Sequence, residues 1–203
     1  VVLDSAHVHL ADLTHNADTA INITAWVDSL AAQFASQDTT PSHTQLRIGE
    51  IILDNSEFIL HRPGTDSIPG FDHNHFLVDV DDVELEQFMV SGDTLQFRIN
   101  TMVAEELKTR FKVHELRTFF RISGQSMEFL GLHLEAGHSF IADSVTFRYN
   151  GYDQLADFNH GTTISANLNH TIIDPHDLAL FASAAGQLPS SLYLSGHVNG
   201  RVD

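Results

Sequence analysis

The sequence predicts an all-β protein, mainly antiparallel, with two short helices. Polar and apolar residues alternate along most of its 203 positions, glycine-containing turn signals separate the alternating runs, and only two segments show helical spacing. A period of two is typical of strands with one solvated and one dry face. This length allows one large domain or two small ones.

Alternation is clearest where Leu95, Phe97 and Ile99 share one face of a predicted strand. Phe, Val, Ile and Tyr, which favour strands, occupy many of the equivalent positions elsewhere. Those positions are Phe111 and Val113; Leu130, Leu132 and Leu134; Val145, Phe147 and Tyr149; and Ile164, Ala166 and Leu168.

Turn signals separate these runs at nearly regular intervals, which predicts a meander of neighbouring strands. Gly and Asn provide the positive φ angles of tight hairpins. The turn signals are Ser91-Gly92-Asp93, Ser123-Gly124-Gln125, Ala136-Gly137-His138, Asn150-Gly151 and His160-Gly161. The long interval between the first two predicts a further turn near Glu105-Glu106.

Two segments have helical spacing. In residues 24–34 the apolar positions recur every three or four residues. The second helix is predicted to begin at Asp174-Pro175, with Asp174 as the N-cap and Pro175 in the first turn, and to end at Gly186.

The chain divides into two parts. Residues 1–45 hold leading strands, the first helix and a polar linker at 36–44, and residues 46–203 form the main β segment. Residues 62–75, with two prolines and two glycines, predict an exposed loop within that segment. We expect the whole chain to be a fragment of a longer protein.

The charge and the motif content exclude several functions. The chain has 10 Lys and Arg against 27 Asp and Glu, a formal charge of −17, so we expect no nucleic-acid partner. Without cysteine it has no disulfide and no zinc–thiolate site. No nucleophile elbow, phosphate-binding loop or dinucleotide fingerprint is present, so we expect neither an enzyme nor a cofactor.

Histidine is unusually frequent, with 14 residues. His7 and His9 form one His-x-His pair, and His73 and His75 form another. On a strand, such a pair projects both imidazoles from one face and provides half of a zinc site. A His-rich metal-binding β protein is therefore one alternative, although no metal site is assigned. The other interpretation places histidines on solvated strand faces, which suits His114, His133, His170 and His197.

Six of the ten basic residues lie between positions 98 and 121. We expect them to form the outer face of a pair of strands, because they alternate with apolar residues. They are Arg98, Lys108, Arg110, Lys112, Arg117 and Arg121. Cross-strand pairing with acids is one interpretation, and a docking patch for an acidic partner or a lipid headgroup is the other.

The dry face of the predicted sheet must be covered by helices, a second sheet or something other than protein. A closed β-sandwich, acting as a structural or adhesion module, is one solution. The other is an open, curled sheet whose inner face holds acyl chains. The inward row would then be Leu95, Phe97, Ile99, Phe111, Val113, Phe129, Leu132, Val145, Phe147, Ile164 and Leu168.

Three groups of segments resemble the TamB family of Bacteroidota and its AsmA-like repeat, in the family's order. The first is residues 25–30 (AWVDSL) with residues 46–58 (LRIGEIILDNSEF). The second is residues 116–123 (LRTFFRIS), 127–134 (MEFLGLHL) and 143–149 (DSVTFRY). The third is residues 173–182 (IDPHDLALFA) with residues 192–200 (LYLSGHVNG).

The resemblance implies an elongated, curled antiparallel sheet with an open apolar groove, called a β-taco. It implies a periplasmic bridge that carries phospholipid between the inner and outer membranes, with or without a contribution to outer-membrane protein assembly. It further implies an inner-membrane anchor absent from this chain. The implied protein partner is an Omp85-family outer-membrane protein, reached through a C-terminal part that this chain lacks.

Overall fold

The computed structural model of the protein describes residues 2–4, 7–11, 45–61, 64–72, 74–151, 161–181 and 183–201. Within these ranges the chain forms ten strands. They are β1 (Val2–Asp4), β2 (His7–Ala11), β3 (Gln45–His61), β4 (His75–Ser91), β5 (Thr94–Glu106), β6 (Phe111–Ile122), β7 (Ser126–Ala136), β8 (Ser139–Arg148), β9 (Thr163–Ile173) and β10 (Leu192–Arg201). Between β9 and β10 lie helix α1 (Pro175–Ala179) and a 3₁₀ turn, η1 (Ser183–Gln187).

The described strands form one open sheet. Strands β3 to β10 follow each other across it in chain order, each antiparallel to the next. Strands β1 and β2 extend the edge of β3 in parallel, opposite residues 52–54 and 57–61. The leading part of the chain therefore contributes to the same sheet as the main segment. The prediction of a mainly antiparallel β fold with few helices is confirmed.

Most predicted turns join neighbouring strands. Turns at Gly92, Gly124 and Gly137 close three hairpins, and residues 107–110 form the additional turn that was expected near Glu105-Glu106. One prediction needs correction. Because β8 and β9 are direct antiparallel neighbours, Asn150-Gly151 and His160-Gly161 belong to one longer connection, residues 149–162, of which 152–160 lie outside the described residues.

The second predicted helix begins where expected and is shorter than expected. Asp174 is its N-cap and accepts a hydrogen bond of 2.8 Å from the backbone N–H of His176, with Pro175 in the first turn. The helix ends at Ala179, and η1 follows it as a separate segment. The predicted helix at 24–34 and the linker at 36–44 lie outside the described residues. The predicted loop, residues 62–75, includes His75, which is instead the first residue of β4.

Irregular positions inside the strands explain why the sheet curls. Asn55, Gln87, Gly131 and His170 all have positive φ angles within long strands. The pairing register shifts beside Gln87, Gly131 and His170. An extra residue in one strand bends that strand and increases its twist. Strands of up to 17 residues therefore curve instead of extending flat.

The fully buried apolar core is small. Val80, Val83 and Ala104 form its centre on strands β4 and β5. Partly buried neighbours that pack against it are Leu53, Val78, Leu85 and Met102. The core thus lies on one face of the sheet, near the middle of the longest strands.

Gly137, in the turn between β7 and β8, lies so close to Asp177 of α1 that any side chain at this position should destabilise the fold. Gly137 has φ +56°, and a Cβ atom at this position would lie 2.2 Å from Asp177 Oδ1. We expect Gly137→Ala to lower the free energy of unfolding by about 1–3 kcal/mol, because the backbone is strained and α1 must move. Urea denaturation measures this. Gly49→Ala is the control, since its Cβ meets no atom within 4 Å. Equal unfolding midpoints for the two variants would contradict the prediction.

Candidate functional site

The most extensive feature of the sheet is one almost wholly apolar face. Direct register partners on neighbouring strands lie on the same face. Phe97 pairs with Phe120, Phe120 with Phe129, and Phe129 with Val145. Following the pairing across β5–β9 places all eleven residues of the predicted inward row on this face. We call it the apolar face and its opposite the polar face.

Five phenylalanine rings form a continuous line across the apolar face, from β4 to β8. Neighbouring ring centroids along this line lie 6.1, 5.0, 5.1 and 6.4 Å apart. These distances lie within the range of favourable aromatic pairs. We call these rings the aromatic row: Phe88, Phe97, Phe120, Phe129 and Phe147.

Sequence reasoning missed two members of the aromatic row. Phe119 and Phe120 are adjacent, so one must point to each face, and alternation does not show which. The register settles the choice, because Phe120 pairs with Phe97 whereas Phe119 pairs with Arg98. Phe88 follows Gln87, whose positive φ interrupts the alternation of β4. A period-two count across Gln87 assigns the wrong face.

The residues of the inward row are only partly covered. Ile99 and Leu132 are buried, at 8% and 7% exposure, and the other nine are half-buried, as are all five rings of the aromatic row. Among the described elements, extensive contacts join only hydrogen-bonded strands, and α1 with η1. The aromatic row is therefore packed from the side by its neighbours and carries no described layer above it.

One end of the apolar face is covered by two segments, residues 64–72 and 174–181, which we call the cap. The Phe181 ring lies 5.1 Å from that of Phe71 and 5.7 Å from that of Phe111. The Phe71 ring in turn lies 5.7 Å from that of Phe76 on β4. Phe111, which belongs to the predicted inward row, thus lies at the capped end rather than in the aromatic row.

Buried carboxylates hold the cap in place. Asp177 accepts hydrogen bonds from the His138 backbone N–H, at 2.7 Å, and from the Ser139 hydroxyl, at 2.6 Å. The two segments of the cap are joined through the Phe71 N–H and the Leu180 carbonyl, 3.3 Å apart.

Asp72 anchors the first segment of the cap and is almost completely buried. It accepts hydrogen bonds from the Ser67 hydroxyl and from the backbone N–H groups of Ile68, Asn74 and His75, at 3.0 to 3.2 Å. Burial alone would raise the pKa of this carboxyl, but these hydrogen bonds and the His75 ring hold the pKa well below its usual range. Asp72 therefore stays charged at neutral pH.

A lysine ties the cap to the turn between β5 and β6. The Lys108 ammonium lies 3.4 Å from Asp72 Oδ2 and donates hydrogen bonds to the Ser67 hydroxyl and the Ile68 carbonyl. The turn itself is held by Glu106, which accepts from the Lys108 and Thr109 backbone N–H groups. Burial acts to raise the pKa of Glu106, and the hydrogen bonds from the turn lower it overall.

The basic cluster of β5 and β6 is largely engaged with acids on the polar face. Arg117 lies 2.8 Å from Glu115, and Arg121 lies 2.6 Å from Glu128. The contact between Arg121 and Glu128 is the cross-strand pairing that was expected, whereas Arg117 pairs with an acid on its own strand. Arg98 instead lies over the ring of Phe119, 5.6 Å from its centroid.

Two of the six basic residues do not lie on the outer face of a strand pair, which corrects the prediction. Lys108 and Arg110 lie in the turn at 107–110, because β5 already ends at Glu106. Lys108 reaches back to the cap, and Arg110 pairs with Glu105 at 2.7 Å.

Of the two His-x-His pairs, the structure describes the side chain of His75 alone. His7 and His9 lie on β2, where the backbone alone is described, and His73 lies outside the described residues. His75 contacts Asp72 through Nδ1 at 3.3 Å, and its ring lies 5.0 Å from that of His61. His75 thus takes part in anchoring the cap.

Comparisons with known proteins give no relative for this chain. No protein-family model, no curated protein and no solved structure matches it. Among the residues that the structure describes, none of the helices is long and apolar enough to span a membrane.

The cap should loosen when Asp72 loses its charge. The native pKa of Asp72 lies below the unfolded value of about 3.9, so its contribution to stability is present above that pH and is lost as the pH falls towards the native pKa. We expect Asp72→Asn to lower the melting temperature at pH 7 and to speed amide hydrogen exchange in residues 67–75. The difference from the unsubstituted protein should shrink below about pH 4.

Asp66→Asn is the control for this prediction, because Asp66 is exposed in the same loop. Equal exchange rates in the Asp72 and Asp66 variants at pH 7 would show that the Asp72 charge does not hold the cap.

Proposed function

We propose that this chain is a segment of a TamB/AsmA-like bridge protein, and that its apolar face carries phospholipid between the inner and outer membranes. The observation that carries the proposal is the aromatic row, which crosses five strands and has no described layer above it. Acyl chains are the covering that we assign to it.

The energetics of acyl-chain binding fit a surface of this type. Burying apolar surface contributes about 25 cal/mol for each Å², or about 0.8 kcal/mol for each CH₂ group. This attraction is non-directional, so a line of Phe, Leu, Ile and Val side chains needs no precise recognition geometry. A lipid held in this way can move along the line, because each new position buries a similar area.

The dimensions of the aromatic row suit an acyl chain. Five neighbouring strands span about 19 Å, from a strand spacing of about 4.8 Å. This length is comparable with the hydrocarbon thickness of one membrane leaflet, about 15 Å. We infer that an acyl chain lies across the strands along the row, and that its headgroup stays in water beyond the rim of the sheet.

The curl of the sheet and the cap define the rims of the proposed groove. Because acyl chains would run across the strands, the groove axis crosses the strands as well. The cap lies at one end of the strands, where Phe181 contacts Phe111. It would therefore border the groove along one side and leave the path across the strands open.

The cellular setting is proposed from the sequence resemblance. It places the chain in the periplasm, within a longer protein that is anchored in the inner membrane and meets an Omp85-family protein at the outer membrane. No catalytic residue is assigned, since passive hydrophobic transfer along a groove requires none.

A charge placed in the aromatic row should remove lipid binding. Phe97→Glu deletes one ring of the aromatic row, between Phe88 and Phe120, and puts a carboxylate where an acyl chain would lie. We expect the amount of co-purifying phospholipid to fall by about tenfold or more. The variant loses about 1.5–3 kcal/mol of apolar burial, and the added charge opposes binding further. Native mass spectrometry and organic extraction of the purified chain measure the bound lipid.

Gln96→Glu is the matched control, because Gln96 is the neighbouring residue on the polar face and pairs with Arg121. It adds the same charge to the same strand and should leave lipid binding unchanged. If the folded Phe97→Glu variant retains as much phospholipid as the Gln96→Glu variant, the apolar face is not the lipid-binding surface.

A further inference from the structure

Three side chains with metal-binding atoms converge on the polar face, away from the aromatic row. Glu115 on β6 and Glu135 on β7 are direct register partners, and His133 lies two residues before Glu135 on the same face. Like charges directly opposite each other on neighbouring strands are destabilising. Two facing glutamates therefore repel each other unless cations lie beside them.

The His133 ring points its Nε2 atom between the two carboxylates. This atom lies 3.3 Å from Glu115 Oε2 and 3.3 Å from Glu135 Oε1. It is inaccessible to solvent and makes no hydrogen bond. The ring is fixed by an edge-to-face contact with Phe140, with centroids 5.2 Å apart.

A neighbouring arginine orients one of the carboxylates. Arg117 Nε lies 2.8 Å from Glu115 Oε1, which leaves Oε2 directed towards His133. Such outer contacts commonly fix the orientation of a metal ligand.

We propose that Glu115, His133 and Glu135 bind one Zn²⁺ ion, which links strands β6 and β7. Zinc–ligand bonds of about 2.0–2.1 Å in a tetrahedron place the ligand atoms about 3.3 Å apart. Both distances from His133 Nε2 agree with that spacing, and all three ligand atoms lie within 4.8 Å of one another. Because Glu135 is half exposed, water can occupy the fourth position.

The ligand set favours zinc over the harder cations. Ca²⁺ takes about 6–8 oxygen ligands, and Mg²⁺ favours octahedral oxygen coordination. One imidazole with two carboxylates, in a four-coordinate arrangement, is a combination that Zn²⁺ accepts.

We do not propose a metal site at a second group of possible ligands. His138, Asp174 and Asp177 also lie close together. However, Asp177 already accepts hydrogen bonds from His138 N–H and Ser139, and Asp174 caps α1. These carboxylates are explained by their structural roles.

The test is titration of the full 203-residue chain with Zn²⁺ in competition with a chromophoric chelator, and melting with and without Zn²⁺. Because the other histidines contribute a background, the comparison is between variants. We expect His133→Gln to bind one Zn²⁺ fewer than the unsubstituted protein and to lose the rise in melting temperature that Zn²⁺ produces. His114 is an exposed residue on β6, and the His114→Gln variant should retain both the bound Zn²⁺ ion and the rise in melting temperature.

Glu135→Gln provides a second variant whose side chain is half exposed, so its fold should be preserved. We expect its affinity for that one ion to fall by about tenfold or more. Equal Zn²⁺ stoichiometry, affinity and melting shift in the unsubstituted protein, His133→Gln and Glu135→Gln would overturn the proposal. Lipid binding is measured separately, so neither result depends on the other.

Discussion

Exposing apolar surface to water costs about 25 cal/mol of free energy for each Å². Almost the whole of one face of this sheet is apolar. The alternation that builds the strands also creates that face, because every second residue must point to it. The polar face carries charged and polar side chains, which water solvates. How the apolar face is covered therefore determines both the stability of the fold and what the protein can bind.

The cap and the aromatic row represent two different solutions to this constraint. At the capped end, Phe71 and Phe181 cover the sheet, and buried carboxylates hold the covering segments by accepting backbone hydrogen bonds. Along the aromatic row the described elements provide no equivalent cover, and the rings remain half-buried. Fully buried apolar residues are accordingly few and centre on Val80, Val83 and Ala104. The proposed acyl chains would supply the missing layer.

Sequence periodicity predicted strands β5 to β9 and the facing of the eleven inward residues, because hydrophobic alternation and strand geometry share one period. It failed where a positive φ angle breaks that period, at Gln87 and at Gly131. Leu130 pairs with Phe119 on the polar face, although it was expected to share a face with Leu132 and Leu134. Alternation also did not assign the adjacent Phe119 and Phe120, whose faces only the pairing register identifies. The contacts that hold the cap could not be predicted from the sequence either. Asp72 and Lys108 are 36 positions apart, and their contact depends on the assembled sheet. The same holds for Glu115 with His133, which only the register of β6 and β7 brings together.

Photocrosslinking from two adjacent positions tests the central claim, that the apolar face holds acyl chains, most directly. A benzophenone amino acid is placed at position 120 or at position 119, which lie on opposite faces of β6. The protein is then irradiated with radiolabelled phospholipid. We expect lipid adducts from position 120 and few from position 119. Equal labelling from both positions, or labelling from position 119 alone, would contradict it.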